Sequence, residues 1–188
     1  FADLSRLSEM KRLAAEIADQ EPRIDVLINN AGAIFSSRQV TADGLERTFA
    51  LNHMAYFVVT AGLRERLASG SARIVNTASE AHRSATLDFD DLPLTTGYGA
   101  VKAYNRSKLC NILFTRELAR RLSGTGITAN CLHPGFVATR FGDQSGGLFA
   151  YLVSFAKLFA ISPAKGAETI VYLASSLEVT DTTGRYFY

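Results

Sequence analysis

Apolar residues recur along this chain with two different spacings. Over 5–20 they stand at positions 7, 10, 13, 14 and 17, which is the spacing of one face of a helix. Comparable patterns predict further helices over 41–68, 100–122, 146–160 and 162–176. Between these segments lie short apolar runs, typical of strands that are buried on both faces, at 24–30, 72–79, 127–132 and 184–188.

Strands that alternate with helices predict a single α/β domain over 1–188, with a doubly wound parallel sheet that is covered on both faces. Thr41 or Asp43 is the predicted N-cap of the helix over 41–68. The run at 24–30 would form an edge of the sheet, although its apolar composition makes a poor edge. We therefore expect that strands precede it in the intact protein and that this domain is N-terminally incomplete.

The composition is that of an ordinary globular protein and excludes several other classes. Of the 188 residues, 47% are hydrophobic and 20% are charged, which argues against disorder. A formal net charge of +2 leaves no basic footprint for nucleic acid, which we exclude as a partner. Cys110 and Cys131 lie in apolar sequence surroundings, which favours free thiols in a reducing, cytoplasmic compartment.

The most apolar segment is 148–161, LFAYLVSFAKLFAI, in which Lys157 interrupts the apolar run. It is shorter than the 18 or more apolar residues of a transmembrane helix, so we predict no membrane span. The segment is predicted to form an apolar helix or a lid. Peripheral docking on a membrane surface or on a partner subunit is an alternative that the sequence leaves open.

Three predicted strands end in residues that suit a ligand. The first runs into NNAG at 29–32, where Gly32 permits close backbone approach. The second places Ser79 at its carboxyl tip, and the third ends in LHPG at 132–135. Because ligands bind beyond the carboxyl ends of the strands in a doubly wound sheet, we expect one site at this edge.

The segment between the second and third strands contains two tyrosine–lysine pairs at the same spacing, Tyr98 with Lys102 and Tyr104 with Lys108. On one helix the two tyrosines would be ~120° apart after full turns are removed, so both pairs cannot face one site. Tyr98 stands between two glycines, where the helix is expected to begin. The stripe from Tyr104 continues as polar positions at Lys108, Asn111 and Thr115, for which a cofactor could supply hydrogen-bond partners. We therefore assign the chemistry to Tyr104 and Lys108.

In this order and at these spacings, the motifs resemble those of the short-chain dehydrogenase/reductase family, and the resemblance runs from Asp3 to the end of the chain. Within the family, SKLCNILFTRELARRLSGTGITANCLHPGFVAT is similar to the retinol-dehydrogenase-like branch. The resemblance implies a Rossmann-type domain. The family's Thr-Gly-x-x-x-Gly-x-Gly loop and the second strand, which distinguishes NAD from NADP, do not occur in the sequence.

The resemblance implies an NAD(P)-dependent oxidoreductase that interconverts a hydroxyl and a carbonyl. Tyr104 would be the general acid and base, and Ser79 would bind the substrate oxygen. Lys108, together with a positive nicotinamide ring, would lower the pKa of the Tyr104 phenol and would also grip the ribose. Asn52 would hold a water in a proton relay to the lysine. Considered without the resemblance, Asn52 is an ordinary helix-breaking polar residue.

The resemblance also implies a cofactor, NADP or NAD with NADP favoured, and a set of residues that would contact it: Asp3, Leu4, Asn30, Ala31, Gly32, Tyr104, Lys108, Pro134, Gly135, Val137 and Thr139. Without the resemblance, Asp3 is a helix N-terminal acid and Thr139 a helix cap. Residues 140–161 would form the substrate lid, and the substrate would be a lipophilic alcohol, aldehyde or ketone. A homodimer would form through the helix that carries Tyr104.

The sequence also bears on metal binding and on a non-catalytic alternative. His82 and His133 lack companion ligands at metal spacing, so no metal is predicted. The alternative to an enzyme is a non-catalytic Rossmann-like binding or scaffold protein. The absent glycine-rich segment favours that alternative, whereas the complete set of Asn52, Ser79, Tyr104 and Lys108 argues against it.

Overall fold

The computed structural model describes residues 1–68, 70–137 and 160–188. Four strands form one parallel sheet in sequence order. They are β1 (Val26–Asn29), β2 (Arg73–Thr77), β3 (Thr128–Leu132) and β4 (Tyr186–Phe187). The parallel α/β sheet predicted from the sequence is confirmed. As expected, the edge strand β1 is apolar, and Val26 and Ile28 are 37% and 44% exposed.

The helices follow the predicted order. They are α1 (Leu7–Gln20), α2 (Arg47–Phe49), α3 (Ala55–Gly62), α4 (Arg64–Ala68), α5 (Ala100–Arg121) and α6 (Pro163–Ser175), and a π-helical turn over Ala50–Met54 joins α2 to α3. Ser162 caps α6 by accepting a hydrogen bond from the backbone N–H of Lys165 at 3.2 Å. The predicted helix over 146–160 and most of the predicted lid over 140–161 lie outside the described residues.

Two hydrophobic clusters cover the two faces of the sheet. Ile74 of β2 belongs to the cluster that includes residues of α1 and α3, with side chains of α5 packed against it. Val75, the next residue, belongs to a second cluster with Leu132 of β3 and Leu173 of α6. Successive side chains of a strand point to opposite faces, so the domain has three layers, with the sheet in the middle.

The predicted helix over 41–68 begins later than the sequence indicated. Residues 41–46 form a turn in which Val40 and Glu46 make an isolated antiparallel bridge, and the helical segment starts at Arg47. Neither Thr41 nor Asp43 caps it. Asp43 instead accepts a hydrogen bond from the backbone N–H of Leu7 at 2.8 Å, so it caps α1 from a distant loop.

The N-cap of α2 is Glu46, which is 3% exposed. Its carboxylate accepts the backbone N–H groups of Thr48 and Phe49, each at 2.8 Å. Because Glu46→Ala leaves both donors without that acceptor in a buried position, we expect it to lower the free energy of unfolding by about 1–2 kcal/mol in urea denaturation. Thr41→Ala is the control, since the Thr41 hydroxyl makes longer bonds of 3.3 Å. An equal decrease in the free energy of unfolding in Glu46→Ala and Thr41→Ala would contradict the assignment of Glu46 as the cap.

Candidate active site

A cavity of about 760 Å³ lies beyond the carboxyl ends of β1, β2 and β3. Its wall contains the segments that follow each of these strands, together with one face of α5 and the first turns of α6. The residues that line it are Asn30, Ala31, Gly32, Ala33, Ile34, Thr77, Ala78, Ser79, Tyr104, Lys108, His133, Pro134, Gly135, Phe136, Val137, Pro163, Gly166, Ala167 and Ile170. The edge of the sheet that the sequence predicted for a ligand is therefore the edge that forms a cavity.

Ser79, Tyr104 and Lys108 meet in this cavity. Ser79 lies just beyond the end of β2, and the two other residues are one turn apart on α5. Ser79 lies close enough to the Tyr104 phenol to influence its pKa. The Lys108 ammonium lies 5.7 Å from the centre of the Tyr104 ring. The geometry brings a hydroxyl, a phenol and an amine to one wall, which are groups able to bind an oxygen atom and exchange its proton.

Lys108 is deeply buried, with 3% of its surface exposed. Its Nζ atom donates a hydrogen bond to the carbonyl oxygen of Thr77 at 2.9 Å. The rings of Tyr56 and Tyr104 lie 5.9 and 5.7 Å from Nζ, within the range of cation–π attraction. Removal from water disfavours the charged form and lowers the pKa of Lys108 from 10.5 to about 8.

The position of Tyr104 in the cavity wall changes the pKa of its phenol. Burial raises the pKa of the Tyr104 phenol, and the nearby Ser79 side chain opposes that change without reversing it. The lowering predicted from the sequence depends on Lys108 together with a positive nicotinamide ring, and it stays a prediction. The protein groups described here therefore favour the protonated phenol.

Asn52 lies in the π-helical turn and is fully buried. Its amide grips the peptide of Ala33 at both ends: Oδ1 accepts the Ala33 N–H at 2.8 Å, and Nδ2 donates to the Ala33 carbonyl at 2.9 Å. Nδ2 also donates to the hydroxyl of Ser107 on α5 at 3.1 Å. Asn52 does not line the cavity, and it ties the loop after β1 to the helix that carries Tyr104. Its role in a water relay stays a prediction.

Two glycines in the cavity wall, Gly32 and Gly166, allow the backbone to pack closely against neighbouring side chains. A methyl group at Gly32 would lie 3.3 Å from Oδ1 of Asn52 and 3.5 Å from Nζ of Lys108. A methyl group at Gly166 would overlap a methyl carbon of Val137. The backbone after β1 and the start of α6 thus approach their neighbours more closely than a larger residue would permit.

The residues predicted to contact a cofactor fall into three groups. Eight of them line the cavity: Asn30, Ala31, Gly32, Tyr104, Lys108, Pro134, Gly135 and Val137. Asp3 and Leu4 do not, since the Asp3 carboxylate accepts hydrogen bonds from Ser5 ahead of α1 and Leu4 packs against the hydrophobic core. Thr139 lies outside the described residues.

The other tyrosine–lysine pair, Tyr98 and Lys102, lies outside the cavity. Helix α5 begins at Ala100, so Tyr98 precedes it, as the sequence indicated. The Tyr98 hydroxyl donates a hydrogen bond to the carbonyl oxygen of Phe35 at 2.9 Å. Lys102 is exposed, and neither residue lines the cavity. Tyr98 therefore anchors the start of α5 to the loop after β1, outside the cavity.

Sequence reasoning did not anticipate the contribution of α6. Pro163, Gly166 and Ile170 line the cavity, as does His133 after β3. The sequence does contain a sign of this contribution: Gly166 follows the Ser-Pro start of the helix by one turn, and a glycine there indicates close packing.

The described residues bring no three or more His, Cys, Asp or Glu side chains together as a metal site would require. Within the same ranges, no helix combines the length and apolar composition that crossing a membrane demands.

Comparison with known proteins gives a consistent result. The sequence model of the family described as short chain dehydrogenase matches residues 1–146. Human retinol dehydrogenase 14 is 45% identical to this chain over 192 residues, covering 98% of this chain and 56% of the relative. Human retinol dehydrogenase 13 is 41% identical over 192 residues, with 98% and 58% covered. The chain spans little more than half of the length of these relatives.

A solved structure shares the fold. The blue fluorescent protein from a metagenomic library, determined in complex with NADPH, superposes with a TM-score of 0.71 and 28% sequence identity. The match covers 99% of this chain and 71% of that one. With the cavity at the carboxyl ends of the strands, the match of the family model to 1–146 and two relatives above 40% identity, this chain belongs to the short chain dehydrogenase family, in its retinol-dehydrogenase-like branch.

Proposed function

We propose that this chain forms the catalytic part of an NAD(P)-dependent oxidoreductase that interconverts a hydroxyl and a carbonyl on an apolar small molecule. The observation that carries the proposal is the convergence of Ser79, Tyr104 and Lys108 on the wall of one cavity. Membership of the short chain dehydrogenase family supports it. So do the names of relatives that are retinol dehydrogenases.

The residues fit a dinucleotide, since the wall includes small residues such as Ala31, Gly32 and Gly135 and the cavity measures about 760 Å³. Asn30, Ala31 and Gly32 would hold the adenosine ribose. Pro134, Gly135, Val137 and Thr139 would hold the nicotinamide amide, and Asp3 and Leu4 the adenine. We propose NADP in preference to NAD, and the NADPH complex of a structural relative supports this choice.

When bound, the cofactor supplies the acceptor or donor of the hydride. Ser79 orients the substrate oxygen by hydrogen bonding, and the Tyr104 phenol lies in the same cavity wall. In oxidation the Tyr104 phenolate takes the proton of the alcohol, and in reduction the phenol returns it to the developing alkoxide. The Lys108 ammonium, held on the Thr77 carbonyl, stabilises the phenolate and binds ribose hydroxyls.

The positive charge of an oxidised nicotinamide ring would add to that of Lys108 and favour the phenolate. Because burial alone raises the pKa of Tyr104, this added charge is part of the proposal for oxidation at neutral pH. In the reductive direction the protonated phenol is the form that is needed, and burial supports that form without further help.

The substrate is proposed to be a lipophilic alcohol, aldehyde or ketone of the retinoid type. Four side chains give the cavity an apolar wall: Ile34, Phe136, Val137 and Ile170. Such a wall would bind a hydrocarbon chain and leave the reacting oxygen to Ser79 and Tyr104. The names of the relatives support a retinoid. The proposed lid over 140–161 and membrane contact through 148–161 lie outside the described residues, apart from Ala160 and Ile161.

We further propose a reducing, cytoplasmic location and a homodimer. Cys110 and Cys131 are both free, which suits a reducing compartment. On α5, Val101 and Leu113 are 53% and 45% exposed, and the exposed ring of Phe57 on α3 lies 5.7 Å from that of Phe114 on α5. Apolar side chains at the surface of the helix that carries Tyr104 support self-association through it.

The proposal is tested with the intact gene product that carries this chain. Titration with NADP and with NAD, followed by nucleotide fluorescence, is expected to show saturable binding, tighter for NADP. Addition of a long-chain apolar alcohol to the oxidised nucleotide, or of the matching aldehyde to the reduced one, is expected to change the nicotinamide absorbance. Binding of neither dinucleotide would contradict the proposal and favour a scaffold protein. Binding without turnover of any apolar alcohol or aldehyde would contradict the catalytic role.

A further inference from the structure

Behind Lys108, the amide of Asn111 makes hydrogen bonds with three residues. Asn111 is fully buried on α5, one turn after Lys108. Its Nδ2 atom donates to the backbone carbonyl of Asn52 at 2.9 Å and to that of Thr77 at 3.3 Å. Its Oδ1 atom lies 3.0 Å from Nδ1 of His53. The amide thus joins α5 to the π-helical turn and to the end of β2.

The chemistry of these contacts fixes the orientation of the amide. A carbonyl oxygen only accepts, so the NH₂ group must face the two backbone carbonyls and Oδ1 must face His53. Oδ1 can only accept as well, so Nδ1 of His53 must carry a proton. Burial lowers the pKa of His53 and favours its neutral form. The required state is therefore a neutral ring protonated on Nδ1.

The His53 ring is itself held in place by aromatic neighbours. Its centre lies 5.1 Å from that of Phe49 and 6.0 Å from that of Phe114, the second contact being edge-on. A ring packed in this way keeps Nδ1 aimed at Asn111. His53 and Asn111 lie on different elements, so their contact also ties the π-helical turn to α5.

The carbonyl of Thr77 is shared between Asn111 and Lys108. Nζ of Lys108 donates to it at 2.9 Å, so the position of this oxygen sets the position of the ammonium. Asn111 binds the same oxygen and the Asn52 carbonyl, and it thereby fixes the distance between the strand end and the π-helical turn. Loss of the amide would leave two buried carbonyls without that donor and would allow them to separate.

We propose that His53 and Asn111 are positioning residues for the proton transfer at Tyr104: His53 orients the Asn111 amide, and Asn111 holds the Thr77 carbonyl that fixes Lys108. This inference rests on the proposed function. It assigns a task to two residues that neither touch the cavity nor belong to the set of Asn52, Ser79, Tyr104 and Lys108.

The test compares two substitutions of His53 in the intact gene product. His53→Phe keeps an aromatic ring between Phe49 and Phe114 but removes the donor. His53→Asn loses the ring but keeps an N–H close to the place of Nδ1. We expect kcat per nucleotide-binding site to fall about tenfold or more in His53→Phe, because misplacement of a reacting group by a fraction of an ångström is costly. In His53→Asn it should stay within about threefold of the unsubstituted protein.

Counting sites by nucleotide titration separates positioning from folding. A purely structural role would reduce the number of binding sites and leave kcat per site unchanged in both variants, which would overturn the proposal. A larger loss of kcat per site in His53→Asn than in His53→Phe would overturn it too, because it would show that the aromatic ring matters and the N–H donor does not. Asn111→Leu should match His53→Phe in kcat per site.

The ring itself provides a readout that is independent of turnover. In ¹⁵N NMR of labelled protein, the His53 signals, assigned by their loss in His53→Asn, are expected to report a neutral ring protonated on Nδ1 at neutral pH. A ring protonated on Nε2 alone would overturn the proposal even in an active enzyme. An inactive protein with the Nδ1 proton in place would instead count against the proposed function.

Discussion

Tyr104→Phe is expected to lower kcat by about 10²- to 10⁴-fold, because it removes the group that exchanges the substrate proton and changes little else. The hydroxyl that is lost lies in the cavity wall, close enough to Ser79 for that residue to influence its pKa. Tyr98→Phe is the matched control, since it deletes the same atom from the other tyrosine–lysine pair. The Tyr98 hydroxyl bonds the carbonyl of Phe35, so its loss should cost stability of at most about 1 kcal/mol and leave most of the turnover.

Turnover of both variants is measured with the nucleotide and apolar alcohol that the unsubstituted protein uses, and nucleotide affinity is measured beside it. Affinity is expected to change little in either variant, which places the loss in the chemical step. The reverse outcome, with Tyr98→Phe inactive and Tyr104→Phe active, would show that the wrong pair has been assigned.

The spacing of Tyr104 and Lys108 could be interpreted from the sequence because a helix has a fixed period. Tyr98 and Tyr104 are six residues apart, which on one helix would place them ~120° apart around the axis, so both pairs could not face one site. The glycines on either side of Tyr98 mark the start of α5. The structure confirms that start at Ala100. The strands were predictable for a similar reason, since each is a short apolar run buried on both faces.

Other features depend on contacts between distant parts of the chain and could not be predicted from local pattern. Residues 41–46 have a helical pattern, yet Glu46 and not Thr41 caps the helical segment, and Asp43 caps α1 instead. The contribution of α6 to the cavity depends on Gly166 meeting Val137, which belongs to another element. Local propensity is overridden wherever a side chain finds a better partner across the fold.

The buried polar stripe of α5 has hydrogen-bond partners, as the sequence predicts. The sequence allows a cofactor to supply the partners of Asn111 and Thr115, and in the structure other residues of the protein supply them. Asn111 bonds Asn52, Thr77 and His53, as described above. The Thr115 hydroxyl accepts from Nδ2 of Asn76 at 2.9 Å and donates to the Asn111 carbonyl at 2.7 Å. A buried polar residue requires a partner, and the sequence does not say whether that partner is a ligand or another residue.

Lys108→Met is expected to separate activity from stability. Methionine fills a similar volume without charge, so the phenolate of Tyr104 loses its nearest positive group and the ribose loses a donor. We expect kcat to fall by at least about 10²-fold and nucleotide affinity to weaken. The unfolding free energy should nevertheless rise at pH 7, since a buried ammonium costs more to desolvate than a thioether.

The size and pH dependence of that gain follow from the pKa of Lys108. Folding lowers this pKa from 10.5 to about 8, so below about pH 8 both states are protonated and the folded state carries the full cost of the buried charge. The gap between the two values corresponds to at most about 3 kcal/mol. The cost falls as the pH rises from about 8 to 10.5 and is absent above that range.

Urea denaturation at pH 7 and pH 10 measures this difference directly. Lys108→Met should be more stable than the unsubstituted protein by about 1–3 kcal/mol at pH 7, and by clearly less at pH 10. Lys102→Met is the control: Lys102 is exposed on the same helix, so neither stability nor turnover should change appreciably. A variant Lys108→Met that is less stable at pH 7 would show that the hydrogen bond to Thr77 outweighs desolvation. Retention of turnover within tenfold would remove Lys108 from the catalytic set.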